Sequence, residues 1–418
     1  MTESAAQLTD EVRRFAHGLG LAVVGIARAE PLPEDRRAFE ERIALGMFAG
    51  LPWFTHERAA RATDPARSLP GAVSIITLAA PYWRVLPVTV AELGPLPRGR
   101  VARYAWGRDY HRVLEKKLRA MMSWLAERVP GSRARPYVDY GPLAERAYAA
   151  RAGIGWVGKN TNLLTPGLGS WTLLAEVITT VPLEPDRPLR KHCGRCTRCL
   201  AACPTGALTE PYVLDNRRCI SFQSIEQRGP IPRALRPLLG DWLFGCDVCQ
   251  DVCPVPTAHT TPPLPEFGDP ALEDAAPALL TLLALDEAAF RSRFAGRALL
   301  RAKRDGLLRN ACVVLGNIGG EEAVPALARA LADPAPLVRG HAAWALGRIG
   351  GRRARRSLEA AYRRETDAWV QEELAAALDA PPRRAGGYDP AALAAWLAGE
   401  RTAAPERVAS AALPVWNR

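Results

Sequence analysis

Apolar residues in the first part of the chain follow two periods. Leu8, Val12, Phe15 and Leu19 recur at helical spacing, so residues 3–19 are expected as a helix with one buried face. Residues 21–27 and 73–80 are apolar runs of strand length, the second ending at Pro81-Tyr82-Trp83. Val113, Leu114, Lys117, Leu118, Met121 and Leu125 place a long helix over 110–128. Residues 137–139 read as a short extended piece running into Gly141-Pro142. A helix is expected over 142–151, because proline suits a first helical position. A strand over 171–181 closes the region, and the mixture makes residues 1–185 an α+β domain.

The pattern then changes. Residues 186–257 are rich in cysteine, with short helices expected over 197–202 and 242–248. Pro262-Pro263-x-Pro265 marks a linker, set at 258–290. Farther on the chain repeats itself: 310–319 (Asn-Ala-Cys-Val-Val-Leu-Gly-Asn-Ile-Gly) matches 341–350 (His-Ala-Ala-Trp-Ala-Leu-Gly-Arg-Ile-Gly) 31 residues later. Residues 370–378 are a degenerate third copy. This is the mark of C-terminal HEAT-like α-helical repeats over 291–380, followed by a tail, 381–418. Cys312 falls on the apolar face of the first copy and is expected in the core.

Eight of the nine cysteines lie between 193 and 253. Cys193, Cys196, Cys199 and Cys203-Pro204 form the bacterial ferredoxin run, in which three thiolates hold one [4Fe–4S] cluster and the fourth crosses to another. Cys246, Cys249 and Cys253-Pro254 repeat it without the first member, and Cys219 fills that place. Cluster one therefore takes Cys193, Cys196, Cys199 and Cys253. Cluster two takes Cys203, Cys219, Cys246 and Cys249. Zinc is the competing reading, but zinc ribbons use separated Cys-x-x-Cys pairs rather than a run of four. A disulfide framework does not suit a long chain without a secretion signal.

The net charge of +11 asks for an anionic partner. Arg291, Arg293, Arg297, Arg301, Lys303, Arg304 and Arg309 crowd one stretch, with Arg297, Arg301 and Arg304 expected on one helical face toward nucleic acid. Arg348, Arg352, Arg353, Arg355 and Arg356 form a second cluster; a plain solvated face is the alternative for both. No apolar run approaches the roughly 20 residues of a membrane span, and with reduced cysteines and no targeting segment the expected place is the cytoplasm.

Gly153-x-Gly155-x-x-Gly158-Lys159-Asn160 imitates a nucleotide loop, but a helix stands where a strand should precede it. Its glycines would instead let the backbone approach another large ligand. Asp109-Tyr110-His111 opens like a cobalamin-binding Asp-x-His motif, yet Leu114 replaces the glycine, so His111 reads as structural. Asp139 reads either as a turn or capping residue or as a general acid whose pKa is raised by aromatic surroundings.

Residues 61–71, 107–111, 138–146, 153–162 and 169–171, the eight cysteines, Ser221-Phe222-Gln223 and the repeats together resemble the epoxyqueuosine reductase family, cobalamin- and iron–sulfur-dependent enzymes of tRNA queuosine synthesis. The resemblance implies a nitroreductase-like domain that binds cobalamin, a two-cluster ferredoxin-like domain, and repeats that help hold a tRNA anticodon stem-loop. Asp139 matches the family's proton donor. Arg61, Asn160, Thr161 and Ser221 match positions that contact cobalamin, whereas Tyr140 stands where a small residue is expected. The implied reaction is a two-electron, two-proton reduction of the epoxide of epoxyqueuosine to the alkene of queuosine. Its electrons come from a single-electron donor such as a flavodoxin or ferredoxin, and the expected enzyme is a monomer. A cytoplasmic reductive dehalogenase-like enzyme and a non-catalytic iron–sulfur electron-transfer protein are the alternatives.

Overall fold

The computed structural model describes residues 4–255, 262–382 and 387–400. The first helix, α1 (Ala5–Gly18), is closed at its start by a capping box between Ser4 and Gln7. Four strands make one antiparallel sheet: β1 (Val23–Arg28), β2 (Ser74–Pro81), β3 (Ala134–Tyr137) and β4 (Thr172–Thr179), in spatial order β1-β2-β4-β3. The long helix α2 (Tyr110–Arg128) enters between β2 and β3, and α3 (Glu145–Arg151) between β3 and β4.

β2 is buried along its whole length because both faces are covered. Ile76 and Leu78 pack with Leu114, Leu118 and Met121 of α2 and with Val12 of α1. Ile75 turns the other way, onto Tyr148 of α3. The α+β expectation holds, and α2 has the bounds that its apolar period predicts.

Four expectations fail for identifiable reasons. α3 begins at Glu145, three residues later than expected, and Pro142 lies in a bend. Arg58 donates to the carbonyls of Tyr140 and Gly141 (3.0 Å each), which holds this bend out of the helix. Residues 242–248 were expected as a helix, but Trp242–Phe244 is a strand, β5, pairing in parallel with Arg100–Val101. Its residues are buried on both faces, a pattern that short apolar runs share with helices. The segment expected as a linker carries short helices instead, with Phe267, Leu279 and Leu282 fully buried. The start of the tail forms a helix at Pro390–Leu397, with Trp396 completely buried; residues 401–418 lie outside the described part.

The repeats are helices α4 (Lys303–Ile318), α5 (Val324–Ala330), α6 (Pro336–Ile349), α7 (Gly351–Tyr362) and α8 (Ala368–Asp379). Cys312 is fully buried among them, as expected. Their core is continuous with that of the cysteine-rich segment through Ile220, Leu239 and Phe244. Polar residues seal the join. Arg309, fully buried, donates to the carbonyls of Gln223, Gln227 and Gly229, and Asn310 to those of Ser224 and Leu243. Among the described residues no helix is long and apolar enough to cross a membrane.

Candidate active site and cysteine module

Two residues past β3 the backbone turns left-handed at Asp139 (φ 57°). That conformation is uncommon for a residue with a Cβ, and it is held by contacts from several directions. Glu145, at the start of α3, accepts the Asp139 N–H at 2.6 Å. Gly141 must lack a side chain, since a Cβ there would come within 1.9 Å of the Tyr137 ring. The Asp139 Oδ2 accepts the Tyr110 hydroxyl at 2.8 Å and faces His111 Nε2 at 3.7 Å. His111 Nδ1 is fixed by Asp109 at 2.7 Å, and its ring stacks on Tyr110. The first turn of α2 therefore aims two residues at one carboxylate.

The Asp139 side chain is open to solvent over 66% of its surface, yet protein surrounds it at longer range, so it lies on the floor of a recess. Burial pushes its carboxyl up, but His111, the Tyr110 hydroxyl and the charge of Arg146 outweigh that and hold it below the usual carboxylate value. For His111, burial alone would favour the neutral ring. The bonds to Asp109 and Asp139 reverse this and lift it to about 9. At neutral pH the proton of this pair therefore sits on the imidazole. Asp139 therefore sits below, not above, its ordinary value, and His111, expected as structural, faces its carboxylate.

Beneath the loop, Glu145 faces Glu176 of β4, which has no exposed surface and whose two carboxyl oxygens are buried without a hydrogen-bond partner. Burial first, and then the charge of Asp139 on Glu145 and of Glu145 on Glu176, raises both carboxyls above the usual carboxylate range. Sequence reading missed this pair. A lone glutamate in the apolar run of β4 was the signal that could have found it.

The glycine loop packs closely on the chain itself. A Cβ at Gly153, Gly155 or Gly158 would meet the chain's own atoms, namely Arg187 O, Leu164 O and Asn160 Oδ1, at 2.5–2.8 Å. Internal packing alone therefore requires glycine at these positions. Asn160 is buried, donates to the Cys249 carbonyl at 3.3 Å and accepts the Asn162 N–H. Its amide is already committed to the cysteine module. Thr161 is left-handed (φ 64°), and its carbonyl accepts from Arg146. Ser221 points its backbone N–H, with that of Phe222, at the Cys219 sulfur. Arg61 lies by Arg58, which feels the charge of Asp139, and its Nε is buried without a protein partner. Such an orphaned donor beside the recess fits a polar ligand seated there. Tyr140 keeps its bulk out of the way: it is exposed, its hydroxyl bonds to Glu115, and its ring lies over His111.

The eight cysteines are unbridged and half-buried. Cys199 has Cys253, Cys193 and Cys196 as thiol neighbours; Cys246 has Cys249 and Cys219; Cys249 has Cys219, Cys203 and Cys199. The eight sulfurs thus lie near one another, with Cys199 and Cys249 adjoining between the two expected sets. Among the described residues, no three metal-binding side chains close on a single ion. Soft thiolates in two groups of four suit two iron–sulfur clusters.

The three arginines singled out do not share a helical face. Arg297 precedes a 3₁₀ turn and pairs with Asp274; Arg304 is in α4, nearly buried, and pairs with Asp333 at 2.6 Å. The turn at 298–302 breaks the helical period on which the shared face depended. Arg301 alone is well exposed. It lies over Trp53, pairs with Glu226 and feels the charges of Asp139 and Tyr110.

Comparison with known proteins agrees with this geometry. Residues 62–140 match the family described as "Epoxyqueuosine reductase QueG, DUF1730", residues 192–256 a 4Fe-4S double cluster binding domain, and residues 295–379 HEAT repeats. The chain is 42% identical to an epoxyqueuosine reductase of Synechocystis over 69% of its length and 98% of the relative's. With that of Bacillus cereus it shares 36% identity over 88% and 96%. A crystal structure of an epoxyqueuosine reductase with an epoxyqueuosine-modified tRNA-Tyr stem loop superposes with a TM-score of 0.82 at 34% identity, covering 90% of this chain and 99% of that one. A Bacillus subtilis structure, at 33% identity and a TM-score of 0.81, has an aspartate-bearing catalytic loop swung out of its active site; it covers 90% of this chain and 99% of that one.

Proposed function

This chain belongs to the epoxyqueuosine reductase family, and on that premise we propose how its residues carry out the reduction. The enzyme is an epoxyqueuosine reductase: it converts the cyclopentane epoxide of epoxyqueuosine in a tRNA anticodon loop to the alkene of queuosine, with loss of water. The cysteine module carries two [4Fe–4S] clusters. Cys193, Cys196, Cys199 and Cys253 hold one, and Cys203, Cys219, Cys246 and Cys249 the other. The recess above Asp139 takes cobalamin, with Arg61, Thr161 and Ser221 among its contacts, while Asn160 acts by holding Cys249. When bound, the clusters supply single electrons and cobalamin supplies a strongly reducing cobalt centre.

The protein's own task is the proton. The oxygen takes two protons, one as the first C–O bond breaks and leaves an alkoxide, and one as the second C–O bond breaks and the hydroxyl departs as water. Asp139 stands on the recess floor as the donor to that oxygen. Because the carboxylate is ionised at rest, its proton is drawn from the His111 imidazolium across 3.7 Å. Asp109 holds His111 in register, and Tyr110 fixes the carboxylate rotamer. Glu145 keeps the left-handed turn in place through the Asp139 N–H. The movable aspartate loop of the Bacillus subtilis relative supports the view that this turn must be pinned to work. Arg301 and Trp53 at the rim suit phosphate contact and base stacking. The enzyme works as a monomer in the cytoplasm and receives electrons from a flavodoxin- or ferredoxin-like donor.

The single observation that carries this reading is the Asp139–His111–Tyr110 constellation beside a module of two thiol tetrads. Its test is anaerobic incubation of the cluster-loaded, cobalamin-supplemented enzyme with an epoxyqueuosine stem-loop and a chemical reductant. Nucleoside analysis should show queuosine. Epoxyqueuosine left intact would refute the reading.

A further inference from the structure

The two thiol tetrads differ in their surroundings. Cys246 lies between buried Gly245 and Asp247, Cys219 precedes buried Ile220, and Cys203 follows buried Ala202. Around the other set, His192, Gly194, Arg195, Thr197 and Arg198 are all exposed. Both sets touch the catalytic half, the inner through Asn160 on the Cys249 carbonyl and the outer through Lys159 on the Cys196 carbonyl, but the inner set, at Cys219, also feels the charge of Arg146, which acts on Asp139 as well. Cys249 in turn has Cys199 of the outer tetrad as a neighbour. By the burial of their surroundings and the shared charge of Arg146, the inner tetrad lies toward the Asp139 recess and the outer tetrad toward solvent.

The exposed end of this series is strongly basic. Arg187, Arg190, Lys191, Arg195 and Arg198 are all exposed, and residues 187–209 contain no aspartate or glutamate. The preceding acid, Asp186, is turned inward by the Ile26 N–H (2.8 Å) and Arg13 (2.7 Å), so it does not offset them. Two anchors fix the segment against the catalytic half: Lys159 donates to the carbonyls of Gly194 and Cys196, and Lys191 lies over the Trp156 ring. Five like charges on a held loop repel one another, a cost that an acidic partner would remove.

We propose that this basic collar, centred on Lys191, Arg195 and Arg198, is the docking surface for a small acidic one-electron carrier protein, which delivers electrons to the outer cluster. The inference rests on the two-cluster reading above. Each docked carrier gives up one electron and leaves oxidised by one. Two encounters supply the two electrons that, with two protons, turn one epoxide into one alkene and one water. Nucleic acid is the weaker occupant, because the substrate base must reach Asp139, where Arg58, Arg61, Arg146 and Arg301 already supply positive charge.

The test is the anaerobic stopped-flow rate of cluster bleaching in the holoenzyme, with fully reduced flavodoxin or reduced methyl viologen as donor. The triple variant Lys191→Glu, Arg195→Glu, Arg198→Glu should be reduced at least about tenfold more slowly by flavodoxin at low salt, and the salt dependence of that rate should flatten. Reduction by the viologen cation and affinity for an epoxyqueuosine stem-loop should not fall. If the triple variant loads clusters poorly, Arg187→Glu with Arg190→Glu, outside the cysteine run, should give the same result with a smaller effect. An unchanged flavodoxin rate would overturn the proposal. Equal slowing with viologen would also overturn it, because the arginines would then act on the cluster's own charge, and so would loss of stem-loop binding alone, which would give the surface to RNA. A wild-type protein that viologen cannot bleach would remove the cluster reading itself, an outcome separate from failed docking.

Discussion

At the residue scale the account turns on where one proton resides. His111, lifted to about 9 from an ordinary 6.5, binds a proton in the folded chain that the unfolded chain releases on the way up. Its stabilisation is therefore complete below about pH 6.5 and is lost as pH rises through 9. Thermal stability should fall over that interval, and His111→Gln should make the fall shallower. An identical slope in the variant would separate His111 from Asp139. The same substitution should remove an alkaline limb near pH 9 from the single-turnover rate. This arrangement was only half legible in the sequence. Asp139 stood out by its position between tyrosines, but its partner was set aside because a glycine three residues on was missing. What joins His111 to Asp139 is the packing of α2 beside β3, and no local pattern encodes that.

Elements explain why similar arginines have different roles. Arg304 lies in α4 and meets Asp333, with little of either side chain exposed. Removing a partner from such a pair leaves a buried charge, so Arg304→Ala should cost about 3 kcal/mol in denaturant titration and change stem-loop affinity only through lost fold. Arg301, one turn earlier, stays in solvent. Arg301→Gln should weaken stem-loop binding and lower the salt slope by about 1, with stability unchanged. Equal stem-loop binding at every salt concentration would take Arg301 off the RNA path. Helix α4 also carries the polar join to the cysteine module. Asn310→Ala strands the Ser224 and Leu243 carbonyls and should lower the unfolding free energy by about 1–3 kcal/mol. The helical period and the repeat made α4 and α6 readable from sequence. The strand at Trp242–Phe244 was not, because a three-residue apolar run takes its conformation from its partner at Arg100–Val101.

Across the whole molecule, the segments taken for linker and tail prove to be ties. Trp396, near the C-terminal end of the described chain, packs on Trp106 and Trp242 and donates to Asp251 within the cysteine module. Arg103 is enclosed among Trp83, Trp106 and Trp396, and its guanidinium donates to the carbonyls of Arg84 and Trp396. Trp396→Ala should cost about 3–5 kcal/mol and loosen cluster retention; a variant that holds its iron and its denaturation midpoint would reduce this helix to an appendage. Composition gave no hint of the tie, since Pro262-Pro263-x-Pro265 reads as ordinary linker punctuation. The catalytic half, the cysteine module and the repeats thus share one framework, which on the proposed mechanism brings an electron path and a proton donor to the same epoxide. The most direct test is single-turnover conversion of an epoxyqueuosine stem-loop by cluster-loaded wild type and Asp139→Asn, with iron content and stem-loop affinity measured on the same samples. Equal iron, equal affinity and queuosine formation slowed by about 10²–10⁴-fold in the variant are predicted; queuosine formed at the wild-type rate by Asp139→Asn would contradict the account.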